Sequence, residues 1–297
     1  ISTGRAYDWY NVGKLRNSGF EFDLNVKLIQ KKDWYWDMSV NGYTYANKML
    51  NLPDEYKVSG MPNGNQRIYE GKDIYRWEMR QFAGLDEKGN SLWYMDRDLT
   101  DGEGNVVGVE KVTTGDATEA TQYLLEKSAL PDFTGGLNTT LRWKSLDLTI
   151  MTNFQFGGYG YDYDFSAFSS ANFPMNRLKN YADAWNPETG KGSAPIWNTN
   201  DSNINASSDR FLISKTYFNL RNITLGYTFP ANWMSKIGIK SVRVYFACDN
   251  VFFASKRKGY DPRTSMGGQG ATVALNSVDG TYYSPIRTTS VGLNINF

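Results

Sequence analysis

The chain has 297 residues, and its 32 Lys and Arg nearly balance its 31 Asp and Glu, so a net charge of +1 gives no basis for a nucleic-acid partner. It contains no histidine, which removes the commonest general base, the commonest metal ligand and every Ser-His or Cys-His nucleophile. Aromatic residues make up 15% and glycines number 28, a composition that predicts an all-β fold.

The chain opens on residues 1–10, which carry neither an initiator methionine nor a basic-then-apolar signal with a cleavage site. We therefore expect it to be part of a longer protein. No stretch of 18 apolar residues occurs in the sequence, which excludes a transmembrane helix. Membrane β-barrels stay possible, because their strands alternate and leave little trace in averaged hydropathy. The lone cysteine, Cys248, allows no internal disulfide.

Seven segments alternate apolar and polar residues over more positions than the usual strand of about 5 to 6 residues. In chain order they are residues 19–28, 34–45, 132–143, 146–156, 222–229, 241–250 and 290–297. In the first segment Phe20 and Phe22 share one face, and Glu21 and Asp23 share the other. Each segment thus predicts a long strand with one apolar face and one hydrated face.

The connections between these strands alternate in length. Three are short and have the sequences QKKD, KS and PANWMSKIGIK. The intervening ones, roughly residues 49–130, 157–210 and 252–282, far exceed the ~12 to 15 residues usual for a loop without its own structure. An antiparallel meander with this alternation places all short turns at one end and all long loops at the other, as outer-membrane barrels do. Within the long connections, AGLDEKGNSLWY, DGEGNVVG and DAWNPETGKG predict small hairpins on glycine-containing turns.

Aromatic residues gather near the short turns, where a barrel would meet a lipid-water boundary. They are Trp34, Trp36, Trp143, Tyr227, Phe229 and Trp233. The alternative is that these are ordinary core aromatics of a β-sandwich, since strands are generally rich in aromatic residues.

Two long stretches have a recognisable pattern, NSGFEFDLNVKLIQKKDWYWDMSVNGYTYANKML and LPDFTGGLNTTLRWKSLDLTIMTNFQFGG. The first resembles a strand pair, and the second a hairpin, of the SusC/RagA-type TonB-dependent transporters. FAGLDEKGNSLWY, TYFNLRNITLGYTFP, SVRVYFACDNVFFASKRKGYDPR and the closing YYSPIRTTSVGLNINF resemble further family stretches. The sequence departs from the family pattern at Cys248, Asp249 and Arg263.

The resemblance implies a transmembrane antiparallel β-barrel of about 22 strands with a plugged lumen. Residues 1–297 would be the C-terminal part of that barrel, about seven strands, with the plug domain and the earlier strands absent. The family lies in the outer membrane of Gram-negative bacteria and imports oligosaccharides or peptides. It works with a SusD-like surface lipoprotein and the energy-transducing TonB complex, as a dimer of transporter-lipoprotein pairs. The resemblance implies no enzyme activity and no cofactor.

One cluster past a strand end is a candidate substrate-binding site. It comprises Tyr159, Tyr161, Asp162, Tyr163 and Asp164. The tyrosines would stack on sugar rings or peptide groups, and the carboxylates would accept hydrogen bonds. The alternative, which we favour, is a loop packed on itself, because a long loop buries some aromatic surface merely to be ordered. The closeness of Asp162 and Asp164 in sequence does not establish the distance between carboxyl groups that a glycosidase needs.

No metal site is expected. The stretch beginning at Asp201 starts like a calcium loop, but Ala206 replaces the required glycine and Leu212 stands where a bidentate Glu belongs. The sequence around Gly102 lacks the strand-then-helix context of a phosphate cradle and predicts a turn.

The closing Phe297 is predicted to be part of the signal that the barrel-assembly machinery recognises, as the resemblance implies for a C-terminal aromatic residue on the lipid face. Three alternatives to a glycan or peptide importer remain at this point. They are a soluble secreted carbohydrate-binding β-sandwich, a surface glycoside hydrolase using Asp162 and Asp164, and a TonB-dependent siderophore importer.

Overall fold

The computed structural model describes residues 13–169, 183–198, 201, 203–204, 206–256, 266–267 and 285–297, and of Asp164, Ile237, Met266 and Gly267 only the backbone. The chain divides into two compact units. One comprises Ile1–Ser18, Ala46–Ala129 and Tyr161–Leu212, and the other comprises Gly19–Tyr45, Leu130–Gly160 and Ile213–Phe297. Arg263 and the stretch around it lie outside the described residues.

Strands dominate the described residues, which confirms the predicted all-β fold. In chain order they are β1 Lys14–Gln30, β2 Trp34–Asn51, β3 Met61–Asn63, β4 Gln66–Ile68, β5 Arg76–Arg80, β6 Phe82–Leu85, β7 Ser91–Thr100, β8 Val106–Thr114, β9 Gln122–Ser128, β10 Phe133–Trp143, β11 Leu146–Phe156, β12 Tyr159–Asp162, β13 Leu212–Ser214, β14 Tyr217–Thr228, β15 Ser241–Ser255, β16 Met266–Gly267 and β17 Thr288–Asn296. Two short α-helices are α1 Tyr163–Phe168 and α2 Ala231–Met234, and 3-10 turns span Asp54–Tyr56, Asp209–Phe211 and Ser235–Ile237. Within the described residues, no helix has the length and apolar character needed to cross a membrane.

The long strands form a seven-stranded antiparallel sheet in the order β1-β2-β10-β11-β14-β15-β17. These are the seven segments whose alternation predicts strands, and they pair in chain order, with short turns joining β1 to β2, β10 to β11 and β14 to β15. Large apolar side chains on this sheet are exposed, including Phe20, Leu225 and Leu293. A β-sandwich would bury one such face against a second sheet. The exposed faces favour the barrel over the sandwich.

The apolar face carries aromatic residues at both of its ends. At the short-turn end the rings of Trp34 and Trp143, which are opposite each other in the register, lie 5.7 Å apart. At the other end a row of rings 5.6 to 6.4 Å apart crosses four strands. Its members are Phe20, Phe22, Phe133, Phe154 and Phe156. The first group confirms the predicted clustering at the short turns, whereas the second was not predicted.

The distance between the two aromatic groups matches a bilayer. Strand β10 runs from Phe133 to Trp143, 11 residues that span about 33 Å at ~3.3 Å per residue. A tilt of ~40° reduces this length to about 25 Å along the membrane normal, the height of the apolar band of outer-membrane barrels. Between the groups the apolar face is largely aliphatic, with Val40, Leu137 and Ile150 near its middle.

Three polar side chains on the apolar face, those of Trp36, Thr139 and Thr152, are hydrogen-bonded locally. The indole nitrogen of Trp36 donates to Thr139 Oγ1 at 2.8 Å, and that hydroxyl donates to the carbonyl of Asp37 at 2.7 Å. Thr152 Oγ1 similarly donates to the carbonyl of Leu137 at 2.8 Å. An amide or hydroxyl group without a hydrogen-bond partner costs several kcal/mol in hydrocarbon. These bonds therefore allow the threonines to lie on a lipid-facing surface.

Strands β3 to β9 form two smaller sheets within the first long connection, β3-β4-β5-β9 and β6-β7-β8. These regions have cores of their own. One centres on Met49, Leu52 and Ile68, and the other on Trp93 with Ala117 and Ala120. The first long connection is therefore a folded module and not an extended loop.

Candidate functional site

The face of the seven-stranded sheet opposite the apolar face, called here the hydrated face, carries a row of aligned residues across six strands, four of them polar and two of them glycine. The register aligns Tyr35, Arg142, Asp147, Gly226, Tyr245 and Gly292. Polar side chains opposite each other in antiparallel strands lie close enough to interact, and the side chains of Arg243 and Tyr245 lie over the two glycines, so the row is a polar strip. It lies near the short-turn end, since Trp143 and Leu146 flank the second short turn.

An ion pair crosses the middle of this strip. The guanidinium of Arg243 donates to both carboxylate oxygens of Asp147, at 3.1 Å from Nε and 2.5 Å from Nη2. The two residues are on strands separated by β14, and the side chain of Arg243 passes over Gly226. A Cβ at Gly226 would overlap atoms of both Arg243 and Asp147. The absence of a side chain at this position is therefore a condition for the bidentate pair.

A second cation lies on the neighbouring part of the strip. The guanidinium of Arg142 is 5.0 Å from the ring centre of Tyr35. The Tyr35 hydroxyl donates to Asp37 at 3.2 Å, and Asp37 also accepts from the backbone N–H of Thr140 at 3.0 Å. Two arginines and two aspartates balance in charge here, and all four keep donors or acceptors near water, so the strip can hydrogen-bond a polar solute or another protein segment.

Amide groups form a second polar cluster on the hydrated face, toward the end with the long connections. Asn219, only 1% exposed, donates to the side-chain oxygen of Asn153 at 2.7 Å, and Asn153 donates to the hydroxyl of Tyr217 at 3.2 Å. Gln155 donates to the carbonyl of Lys215 at 3.3 Å. Uncharged donors and acceptors of this kind suit hydroxyl-rich or amide-rich ligands.

The predicted cluster at residues 159–164 is partly interior. Tyr161 is 3% exposed, its hydroxyl donates to Ser166 at 3.2 Å, and its ring contacts those of Tyr163 and Phe211 at 4.6 and 5.9 Å. Burial raises the pKa of Tyr163 to about 12 and also raises the pKa of Tyr161. These contacts agree with the loop-packing interpretation for Tyr161.

Asp162 is fully buried and is the N-cap of α1, accepting a hydrogen bond from the backbone N–H of Phe165 at 2.8 Å. Tyr159 and Tyr163 are half-buried, and the side chain of Asp164 lies outside the described part of the structure. The structure therefore gives Asp162 a structural partner, while ligand contact by the cluster stays a prediction.

Two hairpins in the first long connection share one turn chemistry. The carboxylate of Asp86 accepts from the backbone N–H groups of Lys88 and Asn90 at 2.8 and 2.7 Å. The carboxylate of Asp101 accepts from the corresponding groups of Glu103 and Asn105, both at 2.9 Å. Backbone hydrogen bonds, those from Asn105 first, lower the pKa of Asp101. Both turns confirm the hairpins predicted from AGLDEKGNSLWY and DGEGNVVG.

The hairpin β7–β8 also holds a lysine between two aromatic rings. Lys111 Nζ lies 4.4 Å from the ring centre of Tyr94 and 4.3 Å from that of Tyr123, and donates to Gln81 at 2.7 Å. The Tyr123 hydroxyl donates to Asp96 at 2.6 Å. Burial and this bond raise the pKa of Tyr123 to about 12. The two rings are thereby held apart by a side chain of the protein itself.

No cluster of three or more potential metal ligands occurs among the described residues. Asp201 accepts from the backbone N–H of Asn203 at 2.8 Å, and Asn203 donates to the carbonyl of Gly115 at 3.3 Å. The stretch beginning at Asp201 therefore links the second long connection to the first by a hydrogen bond within one compact unit. Phe297 follows β17 and is 78% exposed. Its role as an assembly signal stays a prediction.

No protein-family model matches the chain. It is 25% identical over 308 residues to TonB-dependent receptor P3 of Formosa agariphila, covering 97% of this chain and 29% of that protein. It is 26% identical over 294 residues to TonB-dependent receptor SusC of Bacteroides thetaiotaomicron, covering 97% of this chain and 27% of that protein. The chain thus spans less than a third of the length of these relatives.

Solved structures of similar fold include two of the RagAB peptide importer. The structure of the RagAB peptide transporter superposes with a TM-score of 0.69 at 26% identity, over 88% of this chain and 28% of that one. The structure of the RagAB importer in its open-open state gives a TM-score of 0.73 at 24% identity, over 96% of this chain and 29% of that one. The second likeness, at lower identity, supports the fold alone.

Proposed function

Because the chain is similar over 97% of its length to TonB-dependent receptors that include SusC, and resembles the RagAB transporter in fold, we propose that the protein is a SusC/RagA-like TonB-dependent transporter that imports oligosaccharides or peptides across the outer membrane of a Gram-negative bacterium. The observation that carries this proposal is the two-sided sheet. One face has an aliphatic band between two aromatic groups, and the other has the charge-balanced strip through Arg142, Asp147 and Arg243. Such a wall separates lipid from a hydrated passage.

The partners proposed for this protein are those that its similarity to SusC and RagAB implies. A SusD-like lipoprotein would act with the transporter on substrate, TonB would supply the energy through parts of the protein outside this chain, and the assembly would be a dimer of transporter-lipoprotein pairs. The names of the relatives support TonB dependence, since they are TonB-dependent receptors. The relatives are named as receptors and transporters, which favours import over the glycoside hydrolase alternative.

The candidate contact region for substrate is the stretch Tyr159, Tyr161, Asp162, Tyr163 and Asp164. Among these residues, the buried Tyr161 and Asp162 would support the local fold, and the half-buried Tyr159 and Tyr163 would contact the substrate. Aromatic rings of this kind stack on sugar rings and peptide planes.

The test uses the full-length protein in its host. A strain lacking the transporter and the same strain complemented with it are given labelled oligosaccharides, labelled peptides and a ferric siderophore. We expect uptake of an oligosaccharide or a peptide to return on complementation and to vanish when TonB is removed. Uptake of the ferric siderophore alone would overturn the proposal in favour of the siderophore importer. Uptake that persists without TonB would overturn it in favour of a passive pore.

The contact region is tested in the same strain. Tyr159→Ala and Tyr163→Ala should reduce uptake while the protein reaches the membrane at the normal level. Tyr94→Ala, which removes an aromatic ring of similar exposure from the β7–β8 hairpin, is the control. Equal uptake by all three variants would show that the cluster is framework only.

A further inference from the structure

We propose that the short-turn rim of the seven-stranded sheet is a binding surface for the anionic headgroups of a phospholipid bilayer. The short-turn rim comprises the connections 31–33, 144–145 and 229–240. The inference goes beyond the import function: it rests on the membrane-spanning sheet and is independent of the substrate.

The three connections form one continuous edge. The backbone N–H of Lys144 donates to the carbonyl of Asp33 at 2.8 Å, which joins the first connection to the second. Thr228 donates to Ser145 at 2.8 Å and joins the second to the strand that enters the third. Lys240 donates to Asn296 at 2.9 Å, which extends the edge to β17. The rim is therefore held in place by backbone hydrogen bonds from β2 to β17.

The short-turn rim is basic. It carries five lysines against a single acid, Asp33. The lysines are Lys31, Lys32, Lys144, Lys236 and Lys240, and all five are exposed. Within the described part of the chain none of these ammonium groups pairs with a carboxylate. The chain as a whole is nearly neutral, so this excess of about four positive charges is local.

The basic residues adjoin the aromatic group at the same end of the apolar face. Lys144 Nζ lies 5.5 Å from the ring centre of Trp143, and Trp143 packs against Trp34. Trp233, in the third connection, is 54% exposed. Tryptophans mark the level where hydrocarbon gives way to headgroups. Lysine stems that start at this level carry their ammonium groups into the phosphate layer.

The width of the rim identifies the ligand as a surface and not as a single ion. Six adjacent strands, β2 to β17, at ~4.8 Å spacing extend over about 24 Å. The cations are lysines, which act as mobile point charges and lack the fixed fork of an arginine that clamps one phosphate. Several phospholipid headgroups side by side fit this arrangement, whereas one free phosphate ion would contact only one connection.

The test measures the lipids that stay bound to the full-length protein. The protein is reconstituted with equal amounts of phosphatidylglycerol and phosphatidylcholine, extracted in detergent, and its bound lipids are quantified by mass spectrometry. One variant changes all five rim lysines to Gln, and a second changes them to Arg. The control changes Lys88 and Lys191, exposed lysines at hairpin turns of the long connections, to Gln.

We expect the ratio of phosphatidylglycerol to phosphatidylcholine to fall in the Gln variant, by about fivefold for each lysine that contacts the headgroups. It should stay at the wild-type value in the Arg variant and in the control, and it should fall in the wild type as NaCl is raised. If the Gln variant fails to assemble, the response of the wild-type lipid ratio to NaCl tests the proposal.

Three results would overturn the proposal. They are an unchanged ratio in an assembled Gln variant, a wild-type ratio that does not respond to NaCl, and displacement of phosphatidylglycerol by inorganic phosphate beyond the effect of chloride at equal ionic strength. Since uptake is not measured here, none of these results bears on the import proposal, and a failure of import would leave the lipid result standing.

Discussion

Arg243 and Asp147 meet across an intervening strand, with Nη2 and Nε of the arginine 2.5 and 3.1 Å from the two carboxylate oxygens. Their side chains are 30% and 21% exposed, so the pair is partly shielded from water. A bidentate, partly buried pair of this kind is stronger than an exposed one and fixes the spacing of three strands on the hydrated face.

Asp147→Asn removes the charge and should lower the free energy of unfolding by about 1.5 to 3 kcal/mol, the range for hydrogen bonds to charged groups. Glu110→Gln is the control, because its pair with Arg97 has side chains 48% and 58% exposed and should contribute at most about 1 kcal/mol. Guanidinium unfolding of the full-length protein measures both. Equal effects would contradict a special role for the Asp147 pair.

Gly226→Ala should break the same pair from the backbone side, because the new Cβ occupies the path of the Arg243 guanidinium. We expect a loss of stability similar to that of Asp147→Asn, and little further loss when both changes are combined, since each removes the same contact. Gly102→Ala is the control, as a Cβ there meets no atom within 4 Å. Additive losses in the double variant would indicate that Gly226 acts independently of the pair.

Asp162→Ala should destabilise the protein by about 1 kcal/mol, the usual cost of removing an N-cap side chain. Asp162→Ser keeps an oxygen that accepts from Phe165 and should restore most of that stability. Unfolding of the two variants separates the framework role from a ligand role. Loss of uptake in a stable Asp162→Ser variant would indicate that the carboxylate itself contacts substrate.

Ile150→Arg places a charge in the middle of the apolar face and should cost about 2 to 4 kcal/mol, as charged residues do at the centre of a bilayer. Thr149→Arg, one residue earlier, faces the hydrated side and should be nearly neutral. The amount of folded protein in the outer membrane, assayed by its resistance to unfolding in detergent without heating, compares the two. The opposite order would reverse the assignment of the two faces.

Tyr123 should ionise at a higher pH than a typical tyrosine, because burial and the hydrogen bond to Asp96 raise its pKa to about 12. The folded state holds the phenolic proton more tightly than the unfolded state. The stabilisation is therefore complete below the ordinary pKa near 10 and is lost as the pH rises toward 12. The difference between ultraviolet titrations of the wild type and Tyr123→Phe isolates this one group. A difference curve centred near 10 would contradict the prediction.

The seven long strands could be predicted because their period-two alternation continues over many residues, and the hairpins at Asp86 and Asp101 because turn chemistry is local. The pair of Asp147 and Arg243 could not, because its members are 96 residues apart and strand register is not encoded locally. The second aromatic group was missed for the same reason. Phe133 and Phe154 become neighbours only once β10 and β11 are aligned.

The role of the Asp162 carboxylate could not be predicted from the sequence for a different reason. A carboxylate among tyrosines resembles a ligand-binding group, yet the same residue three positions before Phe165 is also a helix N-cap. Both interpretations use the same oxygen atoms, and only the short helix that follows distinguishes them. No residue pattern around Asp162 was strong enough to predict that helix.

The first long connection leaves the sheet after β2 and returns at β10, where Tyr43 and Thr134 are paired. Its two ends are therefore neighbours, and its interior is filled by its own cores around Leu52 and Trp93. The entropy of closing so long a segment grows only as the logarithm of its length. Residues can thus be added to or removed from this segment without shifting the strand register, so its length and surface can change in evolution while the seven-stranded sheet stays the same.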